Sequence, residues 1–370
     1  MKITFPAENV VLMGTAGTEE NGKLTVKATV MGEAWRAVEL AALPDGAGCP
    51  PVYRPAAFHA GYHAASVTLE KGRNTVFARD RVSGETQQQT VFYAPDAMMK
   101  YRFTLDDNIW CFQDLAKNAG VYRSLFDNPW FGLLRRMHER YGTKFHLNIY
   151  RQCPEHGGFD LSMMPERYKD EFRASADWMR MSFHADTNLP DHPYLFSSYE
   201  QFYRECAWVN EQILRFAGEE SLARTSTTVH WGDGTKDVVR AARDLGMRLL
   251  IGSGLEGTPT NNTISYHLNP RQCALLRIYG MIYDEETDMF FQRGGASIQR
   301  APLDEIEQDT IRWEKEFPLL RFRGLCLHEE YFYPDYVNYM PDYPARFETA
   351  IRSVTAHGYK PAFPADVGLF

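Results

Sequence analysis

Residues 101–108, with the sequence YRFTLDDN, decide how the rest of the chain is interpreted. A run of strand-forming residues ends here in two adjacent carboxylates, Asp106 and Asp107. One carboxylate at a strand end can bind a divalent metal while the other acts as a base, although Asp-Asp-Asn is also good turn sequence. The stretch therefore predicts a strand that carries a candidate active site at its carboxyl end.

Strand-like and helical patterns alternate downstream of this stretch. The further strand-like runs are KFHLNIY (144–150), WMRMSFHA (178–185), TSTTVHWG (225–232), RLLIGSG (248–254), ALLRIYG (274–280) and RGLCLHEEYF (323–332). Helical patterns cover residues 199–216, 236–245, 303–317 and 346–356, with Gly246 and Gly358 as the helix-ending glycines. This alternation predicts an α/β fold, a distorted (β/α) barrel of about seven parallel strands.

The first part of the chain has a different pattern. Short β-rich runs such as KLTVKATVMG and NTVFARD alternate without a helical pattern, and Gly72 and Gly84 lie where hairpins should turn. We therefore expect a small all-β sandwich over residues 1–96, preceding a barrel over residues 97–370. The stretch LEKGRNTVFARD resembles strands of immunoglobulin-like modules.

The composition of the chain limits which binding partners and which cellular compartment are expected. The chain has 370 residues and a formal net charge of −8, without a basic block, so no nucleic-acid partner is expected. Residues 1–20 lack the apolar core of a signal peptide, and no apolar run is long enough for a membrane span. A cytoplasmic protein is the default expectation, and a secreted form whose signal has been removed stays open. The six dispersed cysteines indicate reduced thiols, and a homo-oligomer is an open alternative.

Histidines recur in the same setting as the aspartates. His184, His230 and His328 each end or follow a different strand-like run, and His192 shares the loop of His184. The carboxyl ends of parallel barrel strands meet at one rim, so we expect these side chains to converge with Asp107. Imidazole nitrogens and a carboxylate oxygen are suitable ligands for zinc or another divalent metal.

Three of these segments resemble motifs of the polysaccharide deacetylase superfamily, the NodB-homology barrel. The resembling segments are Thr104-Leu105-Asp106-Asp107, Phe183-His184 and Leu325-Cys326-Leu327-His328. The resemblance extends from about residue 100 to about residue 365 and implies a metal-dependent carbohydrate deacetylase.

The resemblance implies a role for each matching residue. Asp106 would be the catalytic base, Asp107 and His184 would bind the metal, and His328 would be the general acid. The third ligand of the family is a histidine four residues after the first, where this chain has Asn188. His192 or His230 would replace it.

One family motif, Arg-x-Pro-aromatic-Gly, is only partly present, at residues 228–232. Its aromatic residue and its glycine are present here, but Thr228 stands in place of the arginine and cannot tune Asp106 as that arginine would. The site therefore combines a matching first and last motif with a degraded middle one.

A carbohydrate or other small-molecule substrate is expected beside these motifs. Aromatic side chains can stack on sugar rings, and a glutamate can accept hydrogen bonds from hydroxyl groups. The candidate substrate-binding residues are Trp110, Tyr194, Trp231, Glu330 and Tyr331. For any single aromatic residue, packing at the barrel rim is the competing interpretation.

Two alternatives to deacetylation follow from the same residues. The altered ligand spacing could serve hydrolysis of another C–N bond or of a glycosidic bond, for which Glu329 or Glu330 would supply a second carboxyl group. The chain could also be a non-catalytic carbohydrate-binding protein. Bound metal distinguishes the enzymes from the binding protein.

Overall fold

The computed structural model describes residues 1–252 and 265–370. Its strands are β1 (Lys2–Phe5), β2 (Val11–Leu12), β3 (Thr18–Glu20), β4 (Lys23–Met31), β5 (Val38–Pro44), β6 (Arg54–Pro55), β7 (Ala57–His59), β8 (Tyr62–Leu69), β9 (Gly72–Asp80), β10 (Thr86–Tyr93), β11 (Lys100–Asn108), β12 (Phe145–Tyr150), β13 (Gln152–Cys153), β14 (Phe159–Asp160), β15 (Met179–Ala185), β16 (Ser226–Thr227), β17 (Leu249–Gly252), β18 (Met281–Asp284), β19 (Met289–Arg293), β20 (Ala296–Ser297), β21 (Phe322–His328) and β22 (Lys360–Pro361). Its α-helices are α1 (Trp110–Lys117), α2 (Pro129–Tyr141), α3 (Lys169–Ala174), α4 (Tyr199–Phe216), α5 (Lys236–Asp244), α6 (Pro270–Tyr279), α7 (Leu303–Glu316) and α8 (Tyr343–Ala356).

Strands β1 to β10 form two sheets in which most neighbours are antiparallel. One has the order β1-β4-β8-β7 with β3 beside β4, and the other has the order β2-β10-β9-β5-β6. Alternate residues of β4 are buried, as expected for a strand with one face on a core. Gly72 and Gly84 have φ angles of 92° and 76°. Glycine adopts such positive φ angles more readily than other residues, so both turns favour it. The immunoglobulin-like character and the boundary at residue 96 stay predictions.

Parallel strands dominate the remainder of the chain. The larger sheet has the order β15-β12-β11-β21-β20, with β22 paired to β11, and all of its ladders are parallel. A second sheet has the order β16-β17-β19-β18, in which only the β18–β19 hairpin is antiparallel. Parallel strands joined through helices confirm the α/β class. The closed barrel of about seven strands stays a prediction, because the parallel ladders after β10 lie in two separate sheets among the described residues.

The helical predictions agree with the structure where a clear start or stop signal exists. Helix α4 has the bounds expected from the apolar spacing, and Ser198 caps it by accepting a hydrogen bond from the Gln201 amide. Helix α5 ends just before Gly246, whose φ is 100°. Helices α7 and α8 differ from the predicted bounds by a few residues at one end.

Two strand predictions differ from the structure. The prediction of a strand at ALLRIYG is wrong, because this run forms most of α6. Pro270 and a capping box from Asn269 and Gln272 fix the start of that helix. In the run TSTTVHWG only the short β16 is a strand, and a turn of 3₁₀ helix follows. The last two residues of the run RLLIGSG lie outside the described residues.

A hydrophobic cluster joins the β-rich region to the parallel sheets. Phe92 of β10 contacts Phe290 of β19 with ring centroids 5.0 Å apart, and both side chains are buried together with Leu249 and Phe322. The Tyr283 amide also donates to the Asn9 carbonyl at 2.8 Å. The two regions therefore share part of their core. In the described part of the chain, no helix is both long and apolar enough to cross a membrane.

Candidate metal centre and active site

The carboxyl ends of the parallel strands surround one cavity. Register pairs Asp106 at the end of β11 with His328 at the end of β21, and β15 brings His184 to the same edge. The cavity has a volume of about 470 Å³. Its lining includes Thr104, Asp106, Asp107, His184, Asn188, Leu189, Asp191, Thr228, His230, Trp231, Ile251, Gln299, Cys326, His328, Glu330, Tyr331 and Tyr336. The expected convergence of strand-end side chains is therefore observed.

Asp107, His184 and His230 form a buried triad at the bottom of this cavity. His184 Nε2 lies 3.1 Å from Asp107 Oδ1, His230 Nδ1 lies 3.5 Å from the same oxygen, and the two nitrogens are 3.1 Å apart. Tetrahedral zinc with bonds of 2.0–2.1 Å keeps its ligand atoms about 3.3 Å apart. The triad thus has the spacing of three metal ligands before any rearrangement.

The outer nitrogens of the two rings determine which atoms face inward. His184 Nδ1 lies 2.6 Å from the Thr228 carbonyl oxygen, and His230 Nε2 lies 3.3 Å from the Asn188 carbonyl oxygen. A carbonyl oxygen only accepts, so each of these nitrogens carries a proton. The inner nitrogens, His184 Nε2 and His230 Nδ1, therefore face each other and Asp107 Oδ1, and a metal ion can bind between the three atoms when neither inner nitrogen is protonated. These residues fit a divalent metal ion with an open fourth position.

The charges of the triad also suit a cation. Burial opposes the charge on Asp107, but His328, His184 and His230 hold the pKa of its carboxyl below the usual value. Burial and the neighbouring His184 lower the pKa of His230 to about 3, so this ring is neutral near pH 7. Burial opposes a charge on His184, but its hydrogen bond to Asp107 and the charge of Asp106 raise the pKa of this ring above the usual value. An ionised carboxylate and neutral imidazoles are the forms that bind a metal, so metal binding at the triad would displace the proton of His184.

Asp106 and His328 lie beside the triad, each held by one side-chain amide. Asn148 Nδ2 donates to Asp106 Oδ1 at 2.5 Å, and the Gln299 amide nitrogen contacts His328 Nδ1 at 2.6 Å. His328 Nε2 is 4.0 Å from Asp107 Oδ2. A carboxylate and an imidazole thus lie on the cavity wall in defined orientations, where they can exchange protons with a bound molecule.

Three of the predicted substrate-binding residues line the cavity. Trp231 is 43% exposed and has a φ of 65°, which turns it out at the rim. Glu330 is buried and accepts a hydrogen bond from Asn188 Nδ2 at 3.1 Å. Burial and the charge of Asp107 raise the pKa of Glu330 to about 8, so its carboxyl group is mostly protonated near pH 7. Tyr331 completes this wall.

Three other predicted site residues lie outside the cavity lining. His192 Nδ1 pairs with Asp233, and its ring packs on Trp231, away from the triad. Tyr194 is fully buried and donates to Glu205 at 2.8 Å, so it has no free surface for a sugar ring. Trp110 stacks on His156 with ring centroids 4.0 Å apart. The triad therefore contains His230 and not His192.

Four site residues were missed in the sequence. Tyr150 donates to Asp107 Oδ1 at 2.5 Å and also contacts His230, and Asn148, Gln299 and Cys326 surround Asp106 and His328. Tyr150 ends the run KFHLNIY and so has the same strand-end position as the predicted residues. The position of Tyr150 at a strand end could have identified it as a site residue. Gln299 lies in a short 3₁₀ turn, and nothing in the sequence around it indicates a site residue.

Comparison with known proteins finds solved structures of low similarity. No protein-family model and no curated protein sequence matches the chain. Among solved structures, the Bc1960 peptidoglycan N-acetylglucosamine deacetylase is similar with a TM-score of 0.37 and 9% identity, over 74% of this chain and 90% of that one.

Two further solved structures are similar over a smaller part of their own length. The 4-alpha-glucanotransferase from Thermococcus litoralis has a TM-score of 0.47 and 11% identity, over 73% of this chain and 40% of that one. Bacteroides uniformis beta-glucuronidase 2 has a TM-score of 0.32 and 10% identity, over 97% of this chain and 44% of that one. This chain thus spans less than half the length of either enzyme.

Proposed function

We propose that this protein is a metal-dependent hydrolase that removes an acyl group from an acylated sugar. The observation that carries the proposal is the convergence of three buried candidate ligand atoms, Asp107 Oδ1, His184 Nε2 and His230 Nδ1, beside a second carboxylate and an imidazole. A divalent ion bound there would supply Lewis-acid polarisation of an acyl oxygen and would make a water molecule more acidic.

Asp106 is the proposed general base. Its Oδ1 accepts a hydrogen bond from Asn148 and its Oδ2 accepts one from the Cys326 thiol at 3.4 Å. A carboxylate oxygen has two lone pairs, so Oδ2 keeps one that can accept a proton from the attacking water. Removing this base should lower the rate about 10²- to 10⁴-fold without removing the metal ligands. Asp106→Asn keeps the volume of the side chain and tests this role separately from metal binding.

His328 is the proposed general acid. Its Nδ1 is held by Gln299, so Nε2 faces the cavity and can donate a proton to the departing amine or alkoxide. Trp231 and Tyr331 border the same opening and supply the aromatic surface on which a sugar ring can stack. The substrate class is proposed from this combination of acid, base and aromatic wall.

Acetate release from acetylated amino-sugar oligomers tests the proposal. We expect activity to disappear on chelation, to return with zinc, and to be absent from Asp107→Ala. His192→Ala is the matched control, because His192 belongs to the loop that follows His184 but lies outside the triad. We expect this variant to keep both its metal and its activity. Unchanged hydrolysis by Asp107→Ala would refute the metal role.

Hydrolysis of a glycosidic bond is the second candidate, and Glu330 supports it. A buried carboxyl group with a pKa of about 8 is protonated near neutral pH, which is the form required of a glycosidase acid. Assay of aryl glycosides with the wild type and Glu330→Gln distinguishes the candidates. Glycosidase activity that depends on Glu330 but not on metal would favour the second one.

A further inference from the structure

Cys326 has a position that differs from that of the other cysteines. It lies two residues before His328 on β21, so both side chains point to the same face of the sheet. The register of β11 and β21 pairs Thr104 with Cys326 and Asp106 with His328. Cys326 lines the cavity beside Asp106 and His328, whereas none of the other five cysteines lines it.

The three side chains have the chemistry and spacing of a metal site. Cys326 Sγ lies 3.4 Å from Asp106 Oδ2, and one donor atom from each of Asp106, Cys326 and His328 lies within 4.8 Å of the others. Zinc bonds of 2.3 Å to sulfur and 2.0–2.2 Å to oxygen place tetrahedral ligands about 3.5 Å apart. Asp107 Oδ2, 4.0 Å from His328 Nε2, offers a fourth donor. A small inward movement of His328 would complete the set, with its proton moved from Nε2 to Nδ1 and the Gln299 amide turned so that its oxygen, which has no hydrogen-bond partner among the described residues, accepts from Nδ1.

We propose that Asp106, Cys326 and His328 bind a second, thiophilic divalent cation, and that this cation inhibits the enzyme. The inhibitory part rests on the proposed function, because Asp106 and His328 are its base and its acid. An ion held by both would occupy the base's lone pair and the acid's nitrogen at once. The thiolate makes the site favour zinc-like ions over magnesium or calcium.

The second site should fill after the first. The ligand atoms of the triad are already 3.1–3.5 Å apart, whereas His328 Nε2 in the second set is 4.0 Å from Asp107 Oδ2 and must move inward. The Cys326 thiol must also release its proton to solvent when it binds the ion. Both requirements weaken the second site, so inhibition is expected in metal excess.

Cobalt titration of the metal-free wild type tests binding without any substrate. The first equivalent should give a spectrum of nitrogen and oxygen ligands, and the second should add thiolate-to-cobalt charge-transfer absorption in the near ultraviolet. Cys326→Ala should bind one equivalent and lack this absorption. Cys49→Ala, which removes an exposed thiol outside the cavity, should behave like the wild type.

Zinc-dependent activity tests the inhibitory effect. Wild-type acetate release should be maximal near one equivalent and fall about 100-fold or more when the second site fills, because base and acid are both lost. The activity of Cys326→Ala, expressed relative to its own value at one equivalent of zinc, should not fall in zinc excess. X-ray absorption of the wild type with two equivalents needs no variant and should show sulfur about 2.3 Å from zinc.

Four outcomes would overturn the proposal. One bound equivalent without thiolate absorption would eliminate the second site while leaving the proposed function intact, whereas no bound metal at all would eliminate both. Retention of the second equivalent and its absorption by Cys326→Ala would remove Cys326 from the site. Activation by the second equivalent would contradict the inhibitory role.

Discussion

Asp107 combines a strained backbone with a buried charge. Its φ is 62°, in the left-handed region that few non-glycine residues adopt, and the register of β11 against β12 shifts between Leu105 and Asn108. Such a conformation costs on the order of 1–3 kcal/mol and occurs mainly at functional sites. The bulge turns Asp106 and Asp107 toward different parts of the cavity. One residue can therefore face the metal while its neighbour stays free to take a proton.

Tyr150 should matter for metal affinity through Asp107. Loss of an outer hydrogen bond to a metal ligand typically lowers affinity 10- to 100-fold, and Tyr150→Phe removes the 2.5 Å bond to Asp107 Oδ1. Competition with a zinc-sensitive dye measures the change. Tyr194→Phe is the control, since it deletes a buried hydroxyl that bonds to Glu205 outside the cavity. Equal zinc affinity in both variants would show that the Tyr150 hydroxyl does not contribute to metal binding through Asp107.

At the scale of single residues, the sequence predicted the members of the buried triad better than the side chains around them. Asp107, His184 and His230 were recognisable because each follows an apolar run in a predicted parallel sheet. The choice between His192 and His230 could not be made, because it depends on a loop that turns His192 toward Asp233. Gln299 lies far from its partner His328 in sequence, so only tertiary structure brings them together.

Helix α1 begins against a carboxylate from a distant strand end. Glu329 is fully buried and accepts hydrogen bonds from the Ile109 amide at 2.7 Å, the Cys111 amide at 2.6 Å and the Tyr333 hydroxyl at 2.6 Å. These amides are the unpaired donors that every helix start must satisfy. The Glu329 carboxylate thus connects α1, which follows β11, to the loop after β21. This connection fixes the two strand ends that carry Asp106, the proposed base, and His328, the proposed acid.

Glu329→Ala should destabilise the protein by about 1–3 kcal/mol or more, because it leaves buried donors without a partner. Urea denaturation of the metal-free protein measures the free energy of unfolding. Glu139→Ala is the control, since Glu139 is an exposed helix residue paired only with Arg135. A loss no larger than that of the control would mean that water replaces the carboxylate.

A buried histidine on β12 should make stability depend on pH. Burial and the nearby charge of Arg102 lower the pKa of His146 to about 3, and its Nε2 contacts Ser182 Oγ at 2.7 Å. The unfolded chain takes up a proton near pH 6.5 that the folded state refuses, so stability falls as pH drops from 6.5 toward 3.

His146→Gln should reduce this loss. Between pH 6.5 and 4.5 the wild type should lose on the order of 2 kcal/mol more than the variant, since one pKa unit corresponds to about 1.4 kcal/mol. Urea midpoints at the two pH values measure the difference, and the exposed His59 replaced by Gln serves as control. The same pH dependence in the wild type and His146→Gln would contradict the account.

At the scale of elements, predictability followed local signals. Helix α4 was recognised because Ser198 and a long amphipathic pattern mark it, and Gly246 marks the end of α5. Helix α6 was mistaken for a strand because ALLRIYG is a short apolar run, for which periodicity alone does not separate the two. The capping residues Asn269 and Pro270, just before that run, were the signal that decides it.

The molecule as a whole is built around two regions that share a hydrophobic cluster. Phe92 contacts both Tyr283 and Phe290, with ring centroids 5.1 and 5.0 Å apart. The change from β-rich sequence to strand–helix alternation predicted two regions, but residues so far apart in sequence gave no sign of this contact. The β-rich region therefore supports the sheet that carries β17 and β19 along one side of the cavity.

Phe92→Ala should destabilise the whole protein by about 3–5 kcal/mol, because it opens a cavity between the regions. We expect tryptophan fluorescence and circular dichroism to report one coincident unfolding transition, which shifts as a unit. Phe58→Ala is the control, since Phe58 is 42% exposed in the same β-rich region. Independent unfolding of the two regions would contradict a shared core.

Anomalous diffraction at the zinc edge, from crystals of the protein loaded with one equivalent of zinc, tests the central claim most directly. We expect one peak about 2.0–2.2 Å from Asp107 Oδ1, His184 Nε2 and His230 Nδ1, with His192 remote from it. No peak at this position, or a peak held by His192 and Asp233 instead, would contradict the assignment of the triad as the metal centre.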